Sequence, residues 1–230
     1  MDNILFVVSG PSGCGKNTLL EHIMAKHSEA CHSISATTRP PRFFEQDGID
    51  YHFKTVDEFE GLIENNGLVE WDRYNGNYYG TVVQNVNELI DSGKNVVFDI
   101  TVKGAENVKK LFPDNSACVF ILPPSINTLR NRLIDRKSET IECIDSRIKA
   151  AILFEFSKWE SFDYVIINDN LEQAKNDIDI IYRAVAGYTD NAEADRFRTQ
   201  NMKKTVMEAI SDYYDEARQL NIVNNTDDNA

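Results

Sequence analysis

The sequence predicts an α/β protein in which helices cover both faces of a parallel sheet, and three observations support this. Five short apolar segments alternate with helical patterns along the chain, which is the order that builds a parallel sheet. The segment 95–100 is almost entirely apolar, as a strand buried on both faces has to be. The chain has 230 residues, of which 42% are hydrophobic, enough for one large domain or a domain with an appendage.

The first of these strands leads into a glycine-rich loop and then a helix. Residues 4–8 are apolar, and residues 16–26 contain neither Gly nor Pro and place apolar side chains at helical spacing. Glycines let backbone amides approach an anion, the new helix adds unpaired N–H groups, and a lysine adds a mobile positive charge. We interpret the loop as a phosphate-binding site, formed by Gly10, Pro11, Ser12, Gly13, Cys14, Gly15, Lys16, Asn17 and Thr18. The alternative is a tight turn without a ligand.

One position of this loop departs from the phosphate-loop pattern. The residue after Lys16 is expected to be Ser or Thr, whose hydroxyl contacts magnesium, but Asn17 stands there. We therefore expect Thr18 or water to take over this indirect contact with the metal.

Composition argues against several classes of protein. The formal net charge of −13 is unfavourable for binding nucleic acid or an anionic membrane surface. The four cysteines and four histidines show no metal-ligand spacing, so we expect reduced thiols and ordinary histidines. No signal peptide precedes the first strand and no apolar run is long enough to cross a bilayer, which predicts a cytoplasmic protein.

The segment that follows is rich in polar groups suited to an acceptor substrate. Arg39 and Arg42 flank two prolines, which fix the backbone so that both guanidinium groups can point at one phosphate. Glu70 lies among apolar neighbours in a predicted strand. A carboxylate there can accept two parallel hydrogen bonds from the N1–H and 2-amino groups of guanine, whereas adenine would leave it unpaired. The alternative for Glu70 is a half-buried strand carboxylate paired with a lysine.

Several stretches, in order along residues 4–186, resemble the guanylate kinase family. They are Gly10–Lys16, Ser35–Arg42, Asp47–Phe53, Glu70–Trp71, Gly76–Gly80, Asp99–Ala105, Pro123–Ser125 and Asn168–Leu171. The resemblance implies a P-loop NTPase fold of three layers with a parallel core sheet, a small GMP-binding insertion and a helical lid. It also implies transfer of the γ-phosphoryl group of ATP to GMP, with Mg²⁺ accompanying ATP.

The resemblance further implies roles for individual residues. The monophosphate of GMP would be bound by Arg39, Arg42, Tyr51 and Tyr79, and the guanine by Ser35, Glu70 and Thr81. Lid arginines that reach the ATP phosphates on closure would be Arg132, Arg136 and Arg147, whereas Arg130 is expected on a solvated face. These three, with Lys16 and Arg39, are the predicted catalytic residues.

Asp99 lies near the carboxyl end of the strand 95–100, where ligands of such sheets bind. We expect it to hold a magnesium-bound water or to contact the acceptor nucleotide, the alternative being a helix-capping aspartate. Here the sequence departs from the family, because Thr101 replaces a second aspartate and Lys103 a glutamine. The loss of a carboxylate is expected to weaken magnesium or nucleotide binding.

The predicted organisation is a guanylate-kinase-like domain, 1–186, and a C-terminal helical extension with a frayed tail, 187–230. The domain divides into a core of 1–32, 94–124 and 161–186, a GMP-binding region of 33–93 and a lid of 125–160. The lid is expected to contain a helix from about Ile126 and a second one from Ile141 to Trp159. In the extension, apolar residues recur at helical spacing: Met202, Val206, Ile210, Tyr213, Ala217 and Leu220. This stripe packs either on its own domain or on a second subunit, which would give a homodimer.

The function that these observations predict is an ATP:GMP phosphotransferase acting by direct in-line transfer. The alternative is a guanylate-kinase-like module with weakened catalysis that binds a phosphopeptide partner. Lys16 and the loop glycines favour the enzyme, because a binding module would not need them.

Overall fold

The computed structural model describes residues 3–74, 76–137 and 140–224. Within them the strands are β1 Leu5–Ser9, β2 Ala30–His32, β3 Ala36–Thr37, β4 His52–Phe53, β5 Leu68–Tyr74, β6 Asn77–Val82, β7 Asn95–Asp99, β8 Ser116–Leu122 and β9 Tyr164–Ile167. The α-helices are α1 Lys16–Lys26, α2 Val56–Glu64, α3 Val83–Asp91, α4 Val102–Leu111, α5 Ile126–Asp135, α6 Ile141–Ala150, α7 Leu171–Val185 and α8 Thr199–Gln219.

The core is a five-stranded parallel sheet in the order β2-β7-β1-β8-β9, with β1 at its centre. Successive residues of β1 point to opposite faces, as a strand requires. Leu5 and Val7 pack in the cluster that holds α3, α4, α5 and α8, whereas Phe6 and Val8 pack in the cluster that holds α1 and α7. The predicted α/β fold with helices on both faces is confirmed.

Not all of the five apolar segments that predicted a parallel sheet belong to it. Leu68–Tyr74 does not join the parallel sheet; β5 is an edge strand of a second sheet. The parallel sheet is completed by β2 instead, a three-residue edge strand in which Ala30 alone is buried. Such a short strand carries no apolar pattern that a sequence can reveal.

The second sheet lies between α1 and α3 in the chain and has the order β4-β3-β6-β5. Its pairing is antiparallel except between β3 and β4, so the predicted small, partly antiparallel insertion is present. Helix α2 packs on it through Phe59, which is buried. Asn75, between β5 and β6 in the chain, lies outside the described residues.

The two helices expected to form the lid are α5 and α6. The predicted single helix from Ile141 to Trp159 is wrong, because α6 ends at Ala150 and is followed by a π-helical segment, Ala151–Glu155, and a 3₁₀ segment, Phe156–Ser161. A π turn adds one residue to a helical turn, so the pattern of buried positions shifts and a 3.6-residue period no longer describes it.

The C-terminal extension contains the predicted helix, α8. Val206, Tyr213 and Ala217 of its apolar stripe are buried in the same cluster as α5 and the π-helical segment. The stripe therefore packs on its own domain, and association of two copies through this helix stays a prediction. The predicted frayed tail lies outside the described residues from 225 onward.

No helix in the described part of the chain is both long enough and apolar enough to span a bilayer. Cys14 and Cys118 are buried, Cys31 is half-buried and Cys143 is exposed, and none of them forms a disulfide within the described part of the chain.

Candidate active site

A cleft of about 690 Å³ opens at the carboxyl ends of β1 and β7 and extends to the second sheet. Parallel pairing of Val8 with Asp99 brings the start of the glycine-rich loop next to that carboxylate. Of the residues predicted from the sequence, those on the cleft wall are Gly10, Ser12, Lys16, Ser35, Tyr51, Glu70, Tyr79, Asp99 and Arg147. One cavity thus contains residues from the loop, both sheets and the predicted lid.

The glycine-rich loop is held in a conformation that side chains would disturb. Gly10 has φ 138° and Gly15 has φ 101°, values that favour glycine. A Cβ atom at Gly10 would overlap the carbonyl oxygen of Ile121, and one at Gly15 would overlap the Asn168 amide. That amide donates to the Cys14 carbonyl oxygen at 2.8 Å. The loop is therefore anchored to the ends of β8 and β9.

Lys16, the first residue of α1, lies inside the loop. Its ammonium donates to the carbonyl oxygens of Gly10 and Pro11 at 2.8 and 3.2 Å. It is also 3.7 Å from a carboxylate oxygen of Asp99. The positive charge is therefore held beside two carbonyl oxygens of the loop and the Asp99 carboxylate. Asn17 and Thr18, the next two residues of α1, are both exposed.

The predicted lid contacts the loop through Arg147, whose Nη2 donates to the Ser12 hydroxyl at 2.8 Å. Glu155, at the end of the π-helical segment, lies on the wall of the same cleft. Burial raises the pKa of its carboxyl, while the charges of Lys16 and Arg147 act to lower it. These residues form a mixed-charge wall facing the loop.

The other predicted lid arginines differ in position. Arg132 donates through Nη2 to the Asn168 carbonyl oxygen at 3.0 Å, and its Nη1 is buried without a hydrogen-bond partner among the described residues. Arg136 is exposed at the carboxyl end of α5. Arg130 is bound to Asp145 by two hydrogen bonds, at 2.6 and 3.1 Å. Arg132 thus contacts the residue that anchors the loop, Arg136 lies at the exposed end of α5, and Arg130 has a structural partner.

On the opposite side of the cleft, Glu70 is half-buried and accepts a hydrogen bond of 3.0 Å from the Thr81 hydroxyl. Gly104, in the first turn of α4, packs against it so closely that an added Cβ would come within 2.7 Å of the Glu70 Cγ. Burial raises the pKa of the Glu70 carboxyl, and the Thr81 hydrogen bond acts in the other direction. Glu70 lies on the cleft wall, where its two carboxylate oxygens could accept from a ligand with two donors.

The two arginines flanking the prolines are arranged around Glu45. Arg39 Nη2 donates to Glu45 Oε1 at 2.8 Å, the Arg42 backbone N–H donates to Oε2 at 2.8 Å, and Arg42 Nη1 is 3.9 Å from Oε1. The hydrogen bond from Arg39 is the main reason that the pKa of Glu45 is lowered. The Arg39 guanidinium also lies 5.5 Å from the centre of the Tyr51 ring, and the Tyr51 and Tyr79 rings are 6.1 Å apart. Arg39 is therefore near the two tyrosines, and Arg42 points to solvent.

Residues at the carboxyl end of β7 test whether a metal ion would fit. Asp99 supplies a carboxylate on the cleft wall. Thr101 caps α4, since its hydroxyl accepts from the Gly104 N–H at 3.2 Å. No group of three or more His, Cys, Asp or Glu side chains suited to a metal occurs among the described residues. A single carboxylate fits an ion that is held mainly by nucleotide phosphates, as Mg²⁺ usually is.

Three residues of this site had not been predicted from the sequence. Glu45 lies in a loop without periodicity, and Glu155 lies in the π-helical segment, so neither position has a regular pattern. Asn168 belongs to a predicted motif but had no assigned role. A buried amide directly after an apolar strand is a signal that could have indicated a polar contact with the loop.

Comparison with known proteins decides the family. The sequence profile of the guanylate kinase family matches residues 3–184, which is most of the chain. The chain belongs to the guanylate kinase family. Among curated members, the guanylate kinase of Bacillus subtilis is 44% identical over 182 residues, which are 79% of this chain and 88% of that protein. The guanylate kinase of Halalkalibacterium halodurans is 42% identical over 181 residues, with the same shares of 79% and 88%.

A solved guanylate kinase has a similar structure. The crystal structure of guanylate kinase from Anaplasma phagocytophilum superposes with a TM-score of 0.58 at 32% sequence identity. The match covers 79% of this chain and 85% of that one. The family match ends within α7, so α8 lies outside it.

Proposed function

We propose that the cleft binds ATP on its glycine-rich loop and GMP on its second sheet, and that the γ-phosphoryl group passes directly between them. Membership of the guanylate kinase family makes the chain an ATP:GMP phosphotransferase, and the roles of individual residues are the proposal. The observation that carries it is that Lys16 and Glu70 line one cavity. Two nucleotides bound end to end in it would meet at their phosphates.

On the donor side, the amides of residues 10–18 would bind the ATP phosphates. Lys16 would leave the Gly10 and Pro11 carbonyl oxygens and follow the transferring group. Arg147 already contacts the loop at Ser12. The buried Nη1 of Arg132 has no hydrogen-bond partner among the described residues. Both arginines could therefore neutralise phosphate charge. Arg136 would need lid closure to contribute.

On the acceptor side, Glu70 would accept from guanine N1–H and the 2-amino group, and Thr81 would keep its carboxylate in position through their 3.0 Å hydrogen bond. Ser35, on the same cavity wall, would bind the base as well. Arg39, Arg42, Tyr51 and Tyr79 would bind the GMP monophosphate. Since no protein nucleophile is needed, catalysis would come from positioning and charge neutralisation.

When bound together with ATP, Mg²⁺ would supply positive charge that neutralises the phosphates. Asp99 would hold it, directly or through a water, and Thr18 is the nearest hydroxyl of α1 to take the place of the one that Asn17 lacks. We also place the activity in the cytoplasm, which four cysteines without a disulfide among the described residues support.

The alternative, a phosphopeptide-binding module, would require only the Arg39 side of the cleft. A binding module would not explain why Lys16 is held inside the glycine-rich loop or why Arg147 contacts that loop. The deciding experiment is a coupled assay of ADP formation with GMP, AMP, CMP and UMP as acceptors. We expect turnover with GMP to exceed that with AMP by about 10⁴-fold. Absence of turnover with all four acceptors would contradict the proposal.

Replacing Arg39 with lysine is expected to weaken GMP binding although the charge is kept. Lysine lacks the planar fork that binds two oxygens at once. The expected loss is about tenfold in the Kd for GMP, equivalent to one charge-assisted hydrogen bond. Calorimetry measures it, with Arg73→Lys as the control because Arg73 stacks on Tyr78 in the same sheet region. Unchanged GMP affinity in both Arg39→Lys and Arg42→Lys would remove the two arginines from the phosphate site.

Restoring the two departures together, Asn17→Ser and Thr101→Asp, is expected to lower the magnesium concentration needed for half-maximal rate. A carboxylate binds a hard cation better than a neutral hydroxyl does, and aspartate retains the helix-capping function of Thr101. The matched control combines Asn17→Ser with Thr101→Asn, which keeps the cap but adds no charge. If both double variants give the parent's magnesium curve, Thr101 serves α4 alone and this prediction is wrong.

A further inference from the structure

Helix α8, outside the range that matches the family, contacts both ends of the proposed lid. The lid leaves the core after β8, at Pro123, and returns through the π-helical segment 151–155. These two ends are far apart in sequence, yet three residues within one turn of α8, Tyr213, Tyr214 and Glu216, provide polar contacts to them. The contacts of α8 would therefore restrict a hinge motion of the lid.

At the outgoing end, α8 makes two kinds of contact. The hydroxyl of Tyr213, a fully buried residue, donates to the Pro123 carbonyl oxygen. Glu216 Oε2 accepts from the backbone N–H and from the side-chain amide of Asn127, both at 2.9 Å. Asn127 lies in the first turn of α5, where N–H groups lack partners within the helix and a carboxylate is favoured by the helix dipole. The start of α5 is thus fixed to α8.

At the returning end, Tyr214 donates its hydroxyl to the Ile152 carbonyl oxygen at 3.3 Å. Ile152 belongs to the π-helical segment, where the regular hydrogen-bond pattern of the helix is interrupted. The Phe156 ring, directly after that segment, packs on the Tyr213 ring with 5.0 Å between centres. The segment that carries Glu155 onto the cleft wall is therefore supported by α8.

We infer that Tyr213, Tyr214 and Glu216 are positioning residues for the ATP side of the reaction. In the proposed assignment they touch neither nucleotide site. Instead, they hold the two ends of the lid so that Arg147 and Glu155 line the cleft. In this position Arg147 donates to the Ser12 hydroxyl of the loop at 2.8 Å. GMP would contact the second sheet, whereas the main contacts of α8 are with α5, β9 and the 3₁₀ segments. Loss of these contacts should thus weaken ATP binding selectively. The inference rests on the proposed location of ATP on the loop.

The test uses the full chain with Tyr214→Phe, Glu216→Ala and the double variant, which remove contacts from half-buried positions. Binding of ATP and of GMP is measured separately by calorimetry, together with kcat and the KM of each nucleotide. For the double variant we expect ATP affinity to fall about five- to tenfold, a typical coupling between separate sites. GMP affinity should stay at the parent value.

Two controls separate positioning from loss of stability. Glu216→Gln keeps an oxygen that can accept from Asn127 and should restore ATP affinity. Tyr188→Phe removes a hydroxyl that donates to Glu29 at 2.9 Å, outside the lid, and should leave both affinities unchanged. Tyr213→Phe is added if it folds, which thermal denaturation decides.

Equal weakening of ATP and GMP binding would overturn the inference, as would ATP affinity unchanged in the double variant. Failure of the proposed function looks different, since it would appear as a parent protein without phosphoryl transfer to GMP. Because ATP binding is measured without turnover, the two outcomes can be told apart.

Discussion

Replacing Lys16 with alanine is expected to lower kcat by about 10³-fold while GMP still binds. Removing one preorganised donor from a site that stabilises developing charge typically has an effect of this size, and the ammonium is the group of α1 that enters the loop. A coupled assay measures the fall in kcat, and calorimetry measures GMP binding by the same variant.

The structure also shows what else Lys16→Ala would change. The variant leaves the Gly10 and Pro11 carbonyl oxygens without their donor, so the loop could relax. Thermal denaturation should therefore accompany the kinetics, with Lys175→Ala as the control, because that lysine pairs with Glu172 on α7, away from the loop. A loss of GMP affinity as large as the loss of ATP affinity would mean that the loop serves the acceptor and that the assignment is reversed.

Replacing Glu70 with glutamine is expected to reduce kcat/KM for GMP by about 10²-fold or more. An amide presents one acceptor and one donor, so one of the two guanine contacts becomes repulsive. ATP affinity should not change. Glu60→Gln is the matched control, because Glu60 is an exposed carboxylate of the same region that accepts a tyrosine hydroxyl at 3.1 Å. GMP turnover close to that of the parent would make Glu70 a structural residue.

The raised pKa of Glu70 gives this prediction a pH dependence. In the proposed assignment the charged form of Glu70 recognises GMP, so kcat/KM for GMP should fall as the pH drops through a pKa above the ordinary glutamate value of about 4.3. In Glu70→Gln this acid limb should be lost, while the titration of the GMP phosphate itself remains in both proteins. An identical acid limb in parent and variant would exclude Glu70 as its source.

We expect Glu70→Gln to preserve or raise the thermal stability of the protein while it lowers activity. A carboxyl whose pKa is raised on folding stabilises the folded state at low pH, and this contribution disappears as the pH rises through the folded-state pKa. At neutral pH the charged Glu70 therefore destabilises the protein without its ligand, and Glu70→Gln should unfold at the same temperature as the parent or a higher one. A large decrease in Tm would mean that the kinetic loss came from unfolding.

Regular elements with strong patterns were predictable from the sequence. Helix α1 was expected to span residues 16–26 and begins and ends there, because a glycine-rich loop precedes it and its apolar spacing is clear. The exchange of β5 for β2 was not predictable, since strand length and sheet membership depend on tertiary pairing. The π-helical segment was missed for a related reason: nothing local marks the extra residue in its turn, and the contacts that support it come from α8, about 60 residues later in the chain.

For the site as well, the sequence predicted which residues are present but not which partners they contact. The sequence predicted which residues line the cleft near the loop, since the glycines and Lys16 have fixed spacing. It could not predict that Glu45 pairs with Arg39 or that Gly104 packs on Glu70. The first contact forms within one irregular loop, and the second joins two segments whose relative position depends on the fold.

The pairing of Arg39 with Glu45 has a consequence for selection among anions in a cell. Glu45 is tethered six residues away, and its side chain is only 6% exposed, so its effective concentration at the guanidinium is on the order of millimolar or higher. Chloride or inorganic phosphate would have to compete with this resident carboxylate without any further binding energy. GMP would bring its base to Glu70 at the same time and would displace the carboxylate with the help of that second contact. Competition from Glu45 would thus weaken the binding of free anions to Arg39 more than the binding of a phosphate attached to guanine.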